Sequence, residues 1–105
     1  MITEVVTFKI PPGTTREEHF ENSAQTALGW GENPDLVRKY YLLDLENGIA
    51  GGVYLWHNKA DSEKWHGAEW KAIIKEFYGS EPESRYFETT VVVDNVVGEI
   101  IKDGA

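Results

Sequence analysis

The residues best suited to chemistry gather in one stretch of the chain: Tyr41, Tyr54, Trp56, Trp65, His66 and Trp70. Indole and phenol rings offer flat apolar walls on which an aromatic compound can stack, and each carries a polar tip that can orient it. An imidazole is the side chain whose ordinary pKa lies nearest neutrality, so His66 is the candidate for proton transfer. Tyr54 and Trp56, two apart, share one face of an extended strand, while Trp65, His66 and Trp70 follow in the next helical stretch. If the Trp56 face points at those helices, the rings converge on one cavity. Tyr41, Tyr54, Trp56, Trp65 and Trp70 are then its binding residues and His66 its catalytic base. The competing reading is a well-filled core with a solvated His66 paired to Glu63 and Glu69, three residues to either side.

Other chemistries are set aside. The chain has no cysteine, which excludes disulfides, thiolate nucleophiles and cysteine metal sites. Gly51-Gly52 sits in a strand with no helix behind it and reads as room for another backbone or a ligand, not a phosphate loop. His19, His57 and His66 lack the spacing of a metal pair, and His19, beside Phe20, reads as a solvated helix residue. With 18 acidic residues against 10 basic ones, the net charge is −8 and no basic patch interrupts it. Nucleic acid is therefore not an expected partner. No run approaches the ~18 apolar residues of a membrane span, and no basic-then-apolar leader opens the chain. The expectation is a soluble cytoplasmic protein with no membrane partner.

The elements that must position the aromatic groups follow from pattern. Leu36 to His57 reads as a hairpin turning at Asn47-Gly48, both of which tolerate positive φ. With those as the central turn residues, Lys39, Tyr41, Leu43 and Leu45 lie opposite Trp56, Tyr54, Gly52 and Ala50. The other face carries Arg38, Tyr40, Leu42 and Asp44 opposite His57, Leu55, Val53 and Gly51. Residues 2–10 form an earlier strand. Thr14/Glu17 or Thr15/Glu18 then caps a helix whose apolar stripe is Phe20, Ala24, Ala27 and Leu28, ending at Gly29 and Gly31. Asn58 with Asp61 caps a second helix that breaks at Gly67. A third carries Trp70, Ile73, Ile74 and Phe77 and stops at Gly79. Residues 85–93 form a fourth strand, and an apolar tail (Val96, Val97, Ile100, Ile101) follows as a short strand or helix. Strand, helix, strand, strand, helix, strand is the ferredoxin-like split βαβ order, here a single α+β domain over residues 1–105. Both hairpin faces are apolar in their middle. One face is therefore expected under helices and the other against a second copy of the chain, making a homodimer.

NPDLVRKYYLLD followed by IAGGVYLWHNKADSEKWH resembles the antibiotic biosynthesis monooxygenase group of dimeric α+β barrels, and within it the YdhR-like monooxygenases. The order of elements agrees over nearly the whole chain, the motifs over Leu36–Trp56. Trp56 corresponds to the tryptophan that quinone-forming relatives place at the end of the third strand. Where those relatives use an asparagine four residues earlier, this chain has Gly52, and their helical tyrosine falls near Ser62. Trp65 resembles the tryptophan of haem-degrading members, but their ligand position falls near Ile74 and the first strand has no asparagine. The resemblance also places the cavity on the Trp56 face, which periodicity alone leaves open.

What this implies is a cofactor-independent monooxygenase acting on a small phenolic or polycyclic aromatic compound. His66 would form the phenolate, Tyr41 or Tyr54 would stabilise oxyanion charge, and the substrate itself would reduce O2 in place of a flavin or metal. Two further readings stand beside it: a non-oxidative cyclase, isomerase or small-molecule binder of the same fold, and a structural or interaction module.

Overall fold

The computed structural model describes residues 1–104. The elements, in chain order, are β1 (Ile2–Lys9), α1 (Arg16–Gly31), β2 (Leu36–Asp44), β3 (Ile49–Trp56), α2 (Lys59–Trp65), α3 (Ala68–Tyr78), β4 (Glu83–Glu88), β5 (Val91–Asp94) and β6 (Glu99–Lys102). β1 lies inside an antiparallel sheet of order β2-β3-β1-β4, and β5 and β6 form a separate hairpin. The α+β ferredoxin-like arrangement is thus present. Among the described residues no helix is long and apolar enough to cross a membrane.

Alternation along β1 decides which side chains face the helices. Glu4, Val6 and Phe8 share that side with Trp56, Tyr54, Gly52 and Ala50 of β3, Lys39, Tyr41 and Leu43 of β2, and Ser84 and Tyr86 of β4. The buried cluster is Val6, Tyr54 and Trp56, with Phe8, Trp30, Leu36 and Trp70 packed around it. β3 is pressed close to β1 at Gly51, where a Cβ would fall 1.8 Å from the Val6 carbonyl oxygen.

Helix starts follow the sequence. Thr15 caps α1, its Oγ1 accepting from the Glu18 N–H at 3.2 Å and donating to the Glu18 carboxylate at 3.1 Å. Asn58 caps α2 through the Asp61 N–H at 2.9 Å. Gly79, at φ 82°, closes α3 in the left-handed region.

Four expectations are corrected. The β2–β3 turn has four residues, Leu45 to Gly48, because the Asp44 carboxylate captures the backbone and side-chain amides of Asn47 at 3.2 and 2.8 Å. Cross-strand partners therefore slide by two: Tyr41 faces Gly52, and Lys39 faces Tyr54. The fourth strand ends at Glu88, and Val91 to Val93 belong to the β5–β6 hairpin. That hairpin is tied back by an Arg38–Asp94 ion pair, a Thr3–Thr89 hydroxyl contact and a Met1 amino–Asp103 pair. α1 ends at Gly31, as expected, but its stripe of Phe20, Ala24, Ala27 and Leu28 faces outward. Its inward side is instead His19, Ser23 and Trp30, so His19 is buried, not solvated.

Candidate active site

Two linked constellations occupy the space between sheet and helices. The deeper one centres on Glu4, whose carboxylate is fully buried in the middle of the sheet. Its Oε1 accepts from Trp56 Nε1 at 3.0 Å and Ser62 Oγ at 2.8 Å, and lies 2.7 Å from His66 Nδ1. Its Oε2 accepts from Ser84 Oγ at 2.7 Å and Tyr86 OH at 3.2 Å. Burial alone would raise the Glu4 pKa. The hydrogen bond and charge of His66, with the Ser84 and Ser62 hydroxyls, more than offset it and hold the group at about 2. Glu4 is therefore a carboxylate throughout the physiological range, and His66 presents Nδ1–H to it.

His66 is the C-terminal cap residue of α2, placed where the chain breaks before Gly67 and α3 begins. Its ring stacks on Trp70 with centroids 3.8 Å apart and meets Tyr54, Trp56 and Trp30 edge-on at 4.3, 5.3 and 5.5 Å. Nε2 is buried without a hydrogen-bond partner among the described residues.

In front of this layer lies a cavity of about 210 Å³ between α1, α3 and the sheet. Its walls include Phe8, Trp30, Tyr41, Tyr54, Trp70 and Tyr78, with His19, Ser23, Thr26 and Lys39 supplying polar groups. Roomier crevices of about 300 and 480 Å³ at the ends of the sheet have one aromatic ring, Phe8, between them, and those of about 270 and 220 Å³ have two each, Phe77 with Tyr78 and Trp30 with Tyr41. Tyr41 OH is 2.6 Å from Thr26 Oγ1 across the α1–β2 seam. Burial raises the pKa of Tyr41, against the opposing Thr26 hydrogen bond, and raises those of Tyr54 and Tyr78, so all three hydroxyls stay protonated. Burial lowers that of His19, the Leu42 backbone opposing. Lys39 Nζ sits over the rings of Tyr41, Tyr54 and Trp30 at 3.8, 4.5 and 4.8 Å. Burial draws its ammonium from the usual 10.5 down to about 7.

Of the residues singled out in the sequence, Tyr41, Tyr54 and Trp70 line the cavity. Trp56 and His66 lie one layer behind its wall, in contact with Tyr54. Trp65 is elsewhere: it is on the outer side of α2, its Nε1 donating to Asp35 Oδ2 at 2.9 Å. Glu4, His19, Trp30 and Lys39 carry no role in the sequence reading. A signal for two of them exists in parity, since Glu4 falls in step with Ile2, Val6 and Phe8, and Lys39 with Tyr41 and Leu43. Among the described residues no three His, Asp or Glu side chains gather to hold a metal ion.

No protein-family model matches the chain, and no curated protein matches its sequence. In structure it is similar to a monooxygenase from the gene ActVA-Orf6 of Streptomyces coelicolor, solved in complex with the ligand nanaomycin D. The TM-score is 0.64 at 14% sequence identity, over 88% of this chain and 89% of that one. The likeness is one of fold.

Proposed function

We propose that this protein is a cofactor-independent monooxygenase that binds a small planar phenolic compound in the cavity between α1, α3 and the sheet. The observation that carries the reading is the cavity itself. It is walled by aromatic rings, and the chain shares its fold with a monooxygenase solved with a bound ligand, nanaomycin D. About 210 Å³ favours one or two rings over a large polycycle. Tyr41, Tyr54 and Trp70, with Trp30, hold the ring and exclude water. Trp56 and His66 buttress that wall from behind, fixed by the Glu4 carboxylate. His66 is thereby a positioning residue, because it does not line the cavity a substrate would occupy.

In the reaction class that fits, a phenol with a free para C–H and one O2 give a quinone and one water. The phenolate supplies the electrons, and O2 supplies both the new quinone oxygen and the water oxygen. A non-oxidative proton transfer on the same ligand is the second reading, favoured by the titratable Lys39 and His19 on the cavity lining. A homodimer closed over the sheet face opposite the helices completes the proposal. Tyr40 and Phe87 are about half exposed there, at 53% and 48%.

The test is quenching of tryptophan fluorescence by hydroxylated naphthalenes and anthrones under argon, followed by admission of O2 with an oxygen electrode in place. Saturable quenching, then stoichiometric O2 uptake with quinone formation, is expected. Turnover that proceeds unchanged under argon selects the non-oxidative reading. Absence of saturable quenching by any of the compounds overturns both.

A further inference from the structure

The lining of the aromatic cavity holds no carboxylate, in a chain with 18 acidic residues against 10 basic ones. It holds one lysine, Lys39, and among the described residues no carboxylate pairs with it. The amine lies over three ring faces, 3.8 to 4.8 Å from their centroids. Such faces offset only part of the cost of burying an ammonium. A methionine would fill the same space with no charge to desolvate. The other titratable groups of the cavity do not compete for negative charge. Tyr41 beside it on β2, Tyr54 on β3 and Tyr78 on α3 are kept protonated, and His19 on α1 is kept neutral, by burial.

We propose that Lys39 recognises an acidic hydroxyl, that of a phenol or enol, on the planar ligand of this cavity, takes its proton, and holds the oxyanion as an ion pair. The ligand O–H bond breaks with its electron pair left on oxygen, an N–H bond forms on the neutral amine, and nothing is oxidised. With burial drawing its pKa down to about 7, the amine is mostly neutral at about pH 8 and becomes the cation of an ion pair when the hydroxyl arrives. The assignment rests on the reading of the cavity as an aromatic-ligand site. It places proton acceptance on β2 and not on His66.

Calorimetric titration with para-nitrophenol at about pH 8, in buffers of different ionisation heat, reports the protons taken up on binding. Para-nitroanisole serves as the analogue that cannot become an oxyanion. At this pH the probe is already largely its phenolate, so the proton that completes the ion pair comes from solvent: the native protein should bind the phenolate with uptake of up to one proton and bind the anisole with none. Lys39→Met should bind the anisole within about twofold of native while losing tenfold or more in phenolate affinity, a differential of about 1.4 kcal/mol. Lys39→Arg, always charged, should bind the phenolate without proton uptake. Should Lys39→Met fail to bind either probe, the Arg variant decides. Uptake that persists in Lys39→Arg, or native-like phenolate binding by Lys39→Met, overturns the role of Lys39 and leaves the cavity reading standing. If the native protein binds neither probe, the cavity reading falls and the assignment with it.

Discussion

Glu4 is the residue on which the site's order depends. It is a fully buried carboxylate with five hydrogen-bond partners spread over β3, α2, β4 and the His66 cap. Its folded pKa of about 2 lies below its ordinary 4.5, so its stabilisation is fully present above pH ~4.5 and lost as pH falls towards 2. The shift corresponds to stability on the order of 3 kcal/mol. Urea unfolding midpoints should therefore drop steeply between about pH 5 and pH 2.5, and Glu4→Gln should flatten that slope. His66 separates two roles. His66→Asn keeps a donor near Glu4. If the histidine only positions Trp70 and Tyr54, turnover should fall less than about tenfold, whereas loss of a true general base costs about 10²–10⁴. The sequence drew attention to His66 for the right neighbours, Trp70 and Trp56, but could not show that Glu4 lies 2.7 Å from its Nδ1. An acid in a strand reads as surface unless its parity with Val6 and Phe8 is given weight.

At the scale of elements, what was legible and what was not have the same cause. Strand parity survives a slip of two residues. The composition of the β2–β3 faces was therefore readable from alternation, although Asp44 lengthened the turn and moved Lys39, not Tyr41, opposite Tyr54. Helix caps were readable because they are local, as at Thr15 and Asn58. The orientation of α1 was not, because it is set by the cavity. α1 turns His19, Ser23 and Trp30 towards the cavity, and Phe20 and Leu28 are left 62% and 77% exposed. Leu28→Gln should accordingly change stability by no more than about 0.5 kcal/mol, while Trp30→Ala should cost about 3 kcal/mol, as read by denaturant unfolding. The reverse order would mean that α1 is rotated. The tandem glycines of β3 make a matching pair. At Gly51 a Cβ meets the backbone of Val6 at 1.8 Å, so Gly51→Ala must push β1 and β3 apart and should cost more than about 2 kcal/mol. At Gly52 the same atom meets nothing nearer than 3.0 Å: the Tyr54 ring at 3.0 Å, the Tyr40 carbonyl oxygen at 3.2 Å and the flexible Lys39 stem at 3.3 Å. Gly52→Ala should therefore cost less stability and narrow the cavity, weakening ligand binding instead.

At the scale of the whole molecule, the far side of the sheet is the surface left uncovered. Helices cover one face, while the other exposes Tyr40 and Phe87 beside a β5–β6 hairpin whose tip residue Val96 is 95% exposed. Exposed apolar side chains on an uncovered sheet face are what an interaction surface would use. The proposed homodimer brings two such faces together as an isologous pair. Each chain carries a net charge of −8, so two copies repel at long range, and the proposed dimer would have to form through apolar burial in spite of that field. The consequence has a definite sign. Raising salt from about 0.02 to 0.3 M shortens the Debye length from roughly 20 to 6 Å and should tighten the dimer. An interface held by ion pairs would loosen under the same change. Sedimentation equilibrium against the 11.9 kDa chain mass reads both the stoichiometry and this slope. Val96→Glu combined with Ile100→Glu adds charge to the hairpin and should yield monomers whose urea midpoint at low protein concentration is unchanged. If those variants stay dimeric, or dimerisation weakens with salt, the hairpin and the open sheet face are not the surfaces that meet.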